Sequence, residues 1–173
     1  MKQIFINDNH LKEEDIDYEV IRVKALIVNH NDEILLAHNN YTYQFPGGHK
    51  DKEEDLESAL QRELKEETGM DLVIDTGPFL QIKTYDNDYF NTGKKVENKI
   101  YYFRVFTDEE PDFTKTSYDG LEKESDFNLF YIQIQDLKYF INKSMEDATI
   151  DPKIGREMLL ALSEYNELFG GIE

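Results

Sequence analysis

The stretch Gly48–Met70, GHKDKEEDLESALQRELKEETGM, reads as a loop, a helix and a stop. Asp51 with Glu54 three residues on has capping-box spacing, which predicts a helix start there. Gly69 follows the last helical residues and is the residue type that ends a helix in a left-handed turn. Between them Leu56, Ala59, Leu60 and Leu64 recur at three- and four-residue spacings, giving one apolar stripe. At about 100° per residue, Glu63 and Glu67 continue the line of Leu56 and Leu60, with Glu66 to one side. The inward face therefore begins apolar and ends in carboxylates.

That arrangement has a cost. Glu63 with Glu66 and Glu63 with Glu67 are like-charge neighbours, each unfavourable by about 0.2–0.5 kcal/mol even when exposed. Burial raises the cost unless the groups are protonated or hold a cation. Three carboxylates from one turn offer hard oxygen ligands suited to Mg²⁺ or Mn²⁺, not the nitrogen and sulfur set zinc prefers. On the carboxylates alone, a solvated acidic helix explains the pattern equally well.

The whole string decides between the two. Gly48, Glu54, Arg62, Glu63, Leu64, Glu66, Glu67, Gly69 and Met70 resemble the complete Nudix box, without departure. With each fixed residue at an ordinary usage of about 5–7%, a chance match is on the order of one in a million. The resemblance implies an α/β fold, the Nudix α/β/α sandwich with a mixed β-sheet, over roughly residues 18–170. It also implies hydrolysis of a pyrophosphate bond in a nucleoside diphosphate linked to another group. By position, Glu63, Glu66 and Glu67 with the carbonyl of Gly47 would hold Mg²⁺ (or Mn²⁺). Glu63 or Glu66 would activate the water, and Arg62 would orient the glutamates. Some members of the family take their base from a later loop, where Glu122 and Glu124 stand; Glu124 is kept as a minor candidate.

The chain has 173 residues, 39% hydrophobic and 13% aromatic, which predicts one domain over 1–173 and excludes a disordered chain. Residues 1–17 match nothing in the resemblance. Cysteine is absent, which removes thiolate chemistry and with it the isopentenyl-diphosphate isomerase use of the fold. The first ten residues do not read as a signal peptide and no apolar run is of membrane-span length, so a cytoplasmic protein with no membrane partner is the default expectation. A net charge of −18 leaves no basic stripe for a nucleic acid polymer and counts against RNA decapping. A small nucleotide substrate remains compatible once bound cations invert the local field. Many Nudix proteins are homodimers, so the resemblance admits that state here. The alternative function is a non-catalytic nucleotide-ligand sensor, a use usually accompanied by a degraded box.

Strands are expected at Ile4–Ile6, Val20–Asn29, Glu33–His38, Leu72–Ile74, Phe79–Tyr85, Val96–Phe106 and Phe127–Ile134. Asn39–Tyr43 reads as a loop, Asp86–Lys95 as a hairpin loop and Thr107–Glu124 as a long exposed loop. A short helix is expected from Asp136 to about Asn142. A final helix, capped by Asp151 and Pro152, should run to Phe169. Tyr41, Tyr43, Phe45, Tyr89 and Phe90 are the aromatics that base stacking could use, against a default of packing. His38 is expected to be a strand-end histidine satisfied by a neighbour.

Overall fold

The computed structural model describes residues 1–39, 42–118 and 126–170. Its strands are β1 (Lys2–Ile6), β2 (Tyr18–Val28), β3 (Glu33–Asn39), β4 (Thr42–Gln44), β5 (Leu80–Asp86), β6 (Val96–Phe106) and β7 (Asn128–Gln133). The helices are α1 (Leu56–Thr68), α2 (Ile134–Glu146) and α3 (Pro152–Phe169). Among the described residues, seven strands join one mixed sheet, in the order β1-β5-β6-β2-β3-β4 with β7 on β3. β2 runs parallel to β6 along its whole length, and β5 and β6 form an antiparallel hairpin.

Alternation along β2 divides the core in two. Val23, Ala25 and Ile27 point to the face covered by α1, where Ala59, Leu60, Leu64, Met70 and Phe103 are fully buried. Leu26 and Val28 point the other way, toward Leu137 and Ile141 of α2 and Met158 and Leu162 of α3. Each leucine buried in these layers contributes about 2 kcal/mol. The result is the α/β/α sandwich that the box implies.

Four expectations are corrected. The helix of the box begins at Leu56, not after Asp51, because Asp55 is its N-cap and accepts Ser58 N–H at 2.7 Å. Asp51 and Glu54 form a turn before it, with Asp51 N–H on the Glu54 carboxylate at 3.2 Å. Leu72–Ile74 alternates, with Leu72 buried and Val73 78% exposed, but among the described residues it pairs with no strand and stays outside the sheet. The expected loop at Asn39–Tyr43 instead includes the start of β4, which pairs with Ala37–Asn39. α2 starts two residues earlier than Asp136 and runs four past Asn142, its buried face being Ile134, Leu137, Ile141 and Ser144.

Other expectations hold. Asp151 Oδ1 caps α3 through Lys153 N–H at 2.8 Å, and Gly170 ends it at φ +69°. His38 stacks on Tyr43 at 4.1 Å between ring centroids. Among the described residues, no helix is long and apolar enough to cross a membrane.

Candidate active site

Beyond β4 the chain turns back along β2 and reaches α1. Ala25 N–H donates to the Pro46 carbonyl at 2.9 Å, Val23 N–H to Gly48 at 3.0 Å, and Lys50 N–H to Ile21 at 2.9 Å. This ladder fixes Gly47 and Gly48 against the sheet. Gly47 has φ +128°, and a Cβ there would stand 2.2 Å from the Val23 carbonyl oxygen, so only glycine fits. A Cβ on Gly48 would stand 2.2 Å from Glu63 Oε2.

The last two turns of α1 meet these glycines. Glu67 is buried, and its Oε2 accepts Gly47 N–H at 2.8 Å. Glu63, one turn earlier, packs its carboxylate over Gly48. Arg62 collects the remaining acids: its Nε and Nη2 hold the two Glu54 oxygens at 2.6 and 3.0 Å. Its Nη1 reaches Glu63 at 2.8 Å and Glu66 at 3.4 Å, and Nη2 also donates to the His49 carbonyl at 2.9 Å. The Glu54 hydrogen bonds, and the Glu63 charge beside them, push the guanidinium pKa well up. In return Arg62 holds the Glu54 carboxyl below its usual range.

The structure thus brings Gly47, Glu63, Glu66, Glu67 and Arg62 together. Glu63 and Glu66 share one arginine nitrogen while Glu67 turns to the Gly47 amide; among the described residues, no three acidic, His or Cys side chains form a ready metal cage. The donor set nevertheless fits a hard divalent cation, since every available ligand is oxygen and the Gly48 cradle keeps Glu63 at the glycine loop.

Glu122, Glu124 and Tyr41 lie outside the described residues. The neighbouring part of the Glu124 loop packs on the end of α1: Asp112 N–H donates to the Thr68 carbonyl at 2.8 Å and Ser117 N–H to that of Glu66 at 2.9 Å. Tyr43 and Phe45 pack internally, Tyr43 edge-on to Phe130 and Phe140, and Phe45 fully buried against Tyr102.

Two basic residues escaped the sequence reading, which took Val20–Asn29 as a plain buried strand. Arg22 and Lys24 lie on the face of β2 turned toward α3 and line a narrow cleft with Gln44, Tyr102 and Glu157. Burial, and then the Arg22 charge, pull the Lys24 ammonium down to about 8, although it donates to Gln44 Oε1 at 2.7 Å and the Phe45 carbonyl at 3.2 Å. Burial pushes the Glu157 carboxyl up to about 7 against the pull of both cations. The available signal was two cations at positions i and i+2 of an otherwise apolar strand.

Comparison with known proteins follows from this geometry. The model of the NUDIX domain matches residues 19–149. In fold the chain is similar to the MutT protein of Methanosarcina mazei Go1, with a TM-score of 0.56 and 20% identity over 86% of this chain and 96% of that one. It is also similar to the E. coli ORF135 protein, with a TM-score of 0.55 and 17% identity over 94% of this chain and 100% of that one. A third likeness is to a NUDIX hydrolase from Nitrosomonas europaea, with a TM-score of 0.55 and 17% identity over 86% and 88%. No curated protein matches the chain. With the box intact and most of the chain matched, the protein belongs to the Nudix hydrolase superfamily.

Proposed function

We propose that this Nudix enzyme is a divalent-cation-dependent hydrolase that cleaves the pyrophosphate bond of a nucleoside diphosphate linked to another group. The observation that carries the reading is the convergence of Glu63 and Glu67, from one face of α1, on the Gly47–Gly48 turn. Among proteins of similar fold are an Ap4A hydrolase of C. elegans and a bifunctional NMN adenylyltransferase/ADP ribose pyrophosphatase of Francisella tularensis, which supports a small nucleotide-type substrate.

In this reading Glu63, Glu66 and Glu67, with the Gly47 carbonyl, hold Mg²⁺ or Mn²⁺. When bound, such an ion neutralises charge on the phosphate oxygens and acidifies a water for in-line attack. Glu63 or Glu66 takes the proton from that water. Arg62, now shared between them, keeps both carboxylates aimed at the turn while Glu54 anchors its other edge. Glu124 stays a candidate base because the described part of its loop is bonded to the Glu66 carbonyl.

The test is phosphate release, coupled to a phosphatase, across nucleoside triphosphates, nucleotide sugars, ADP-ribose, dinucleoside polyphosphates and NADH, with Mg²⁺ or with EDTA. Turnover of one class, lost in EDTA, is expected, together with Mn²⁺ binding by paramagnetic resonance that Glu63→Gln weakens. A folded protein that binds these nucleotides but hydrolyses none of them is a ligand sensor instead.

A further inference from the structure

The last turn of α1, which carries Glu66 and Glu67, is capped from far along the chain. A helix end leaves its final carbonyls without intrahelical donors. Gly69 N–H satisfies that of Lys65 at 2.9 Å. The Thr68 carbonyl takes Asp112 N–H at 2.8 Å and the Glu66 carbonyl takes Ser117 N–H at 2.9 Å, both from the segment that follows β6. Glu66 is thereby held twice, its carboxylate by Arg62 Nη1 at 3.4 Å and its backbone by Ser117.

The segment is shaped for this contact. Asp112 Oδ1 accepts the Thr114 N–H at 3.1 Å and the Thr114 hydroxyl at 2.6 Å, while Oδ2 pairs with Lys115 Nζ at 2.9 Å. The Asp112 carbonyl accepts Lys115 N–H at 2.9 Å. The aspartate side chain thus folds residues 112–115 into a local turn whose leading N–H meets the helix. The approach is close: a Cβ on Gly69 would stand 2.1 Å from the Asp112 carbonyl oxygen. Gly69 of the box therefore serves twice, ending α1 at φ +71° and leaving room for the turn. A loop can pack on a helix simply to bury apolar surface, but this one does not. Phe113, Thr114 and Lys115 are exposed, and among the described residues 107–117 put no side chain into either core cluster.

We propose that the segment 112–117 positions the cation ligands, with Asp112 as a positioning residue that acts through the Thr68 carbonyl. By tying down the backbone of the last turn of α1, it keeps Glu66 and Glu67 aimed at the Gly47–Gly48 turn. Released from it, that turn frays as helix ends do, and the carboxylates lose their common aim. The cation itself rests on the hydrolase reading above.

Mn²⁺ dissociation constants from paramagnetic resonance, and amide hydrogen exchange of the metal-free protein, are compared for wild type, Asp112→Ala, Asp112→Asn and Ser117→Pro. Asp112→Ala, which frees the turn, is expected to weaken Mn²⁺ binding about tenfold. Exchange at residues 66–69 should quicken, while exchange at residues 59–63 and the urea midpoint stay near wild type. Asp112→Asn keeps an acceptor for Thr114 and should recover most of the affinity. Ser117→Pro deletes the donor to the Glu66 carbonyl and should match Asp112→Ala. Wild-type Mn²⁺ affinity in Asp112→Ala or Ser117→Pro overturns the proposal. Exchange that quickens along the whole of α1 also overturns it, since the segment would then only be stabilising the fold. A wild type that binds no Mn²⁺ refutes the hydrolase reading, and the proposal falls with it; a wild type that binds Mn²⁺ leaves that reading standing whichever way the variants go.

Discussion

The Glu67 carboxylate, in the last turn of α1, accepts the backbone N–H of Gly47 at 2.8 Å. Two residues 20 apart in sequence thereby close the chain into a ring whose two ends carry the proposed cation ligands. Glu67→Gln keeps an acceptor for that amide and loses the charge. Its expected cost in stability is about 1 kcal/mol, with a fall in turnover of at least about 100-fold. Glu67→Ala strands the amide and leaves a void, for about 2–4 kcal/mol. Urea midpoints and turnover measured together check both; wild-type turnover in the Gln variant would remove Glu67 from the ligand set.

The adjacent glycines should fail differently. Gly47→Ala forces a Cβ against the Val23 backbone at an unfavourable positive φ, and about 2 kcal/mol or more of stability should go with it. Gly48→Ala meets only the far end of the Glu63 side chain, which can give way at the cost of its Arg62 contact. Stability should change by less than about 1 kcal/mol, while Mn²⁺ affinity and turnover drop by about 10–100-fold because the carboxylate is displaced. Calorimetric Mn²⁺ titration beside thermal unfolding distinguishes the two variants.

Arg62→Lys replaces a fork by a point charge. One ammonium cannot hold both Glu54 oxygens, Glu63 and the His49 carbonyl together. A stability loss of about 1–2 kcal/mol and roughly tenfold lower turnover are expected, with the Glu54 carboxyl titrating at higher pH. Carboxyl-carbon resonances followed through a pH titration would show that rise, and an unmoved Glu54 would count against the clamp.

A fourth expectation concerns acid. Burial pushes the Glu97 carboxyl up, but Lys83 at 2.5 Å and Lys99 at 2.9 Å outweigh it and bring it down to about 2. A depressed carboxylate stabilises the fold fully above its unfolded pKa near 4.5, and that contribution is lost as pH falls from there through 2. The wild type should therefore lose on the order of 2–3 kcal/mol more than Glu97→Gln between pH 5 and pH 2. Urea midpoints across that range measure it, and parallel curves for the two proteins would contradict the assignment.

What could be read from sequence was whatever local spacing determines. The apolar stripe of α1, the alternation of β6 and the caps at Gly69, Asp151 and Gly170 each follow from a few neighbouring residues. The helix start could not be read so. Asp51 and Asp55 both have capping side chains, and the cap is Asp55, which accepts Ser58 N–H, while Glu54 bonds both Asp51 N–H and Arg62, eight residues away, in the turn before it. β4 is three residues long, too short to show a period, and exists because β3 offers it an edge. Arg22 and Lys24 were hidden by the apolar run around them, since their meaning depends on Tyr89, Gln44 and Glu157 arriving from distant elements.

The family match covers residues 19–149, and what lies outside it is not ornament. β1 pairs in parallel with β5 at the sheet margin, and its Lys2 meets Glu164 of α3 at 2.5 Å, while Asp8 meets Arg156 at 2.7 Å. The two flanking segments thus clasp each other across the matched region, one shielding a strand margin and the other roofing half the interior through Met158, Ala161, Leu162 and Tyr165. The smallest piece able to carry the chemistry and the smallest piece able to stand in water are therefore different lengths of this polypeptide. Excising residues 19–149 would keep every box residue and yield aggregate.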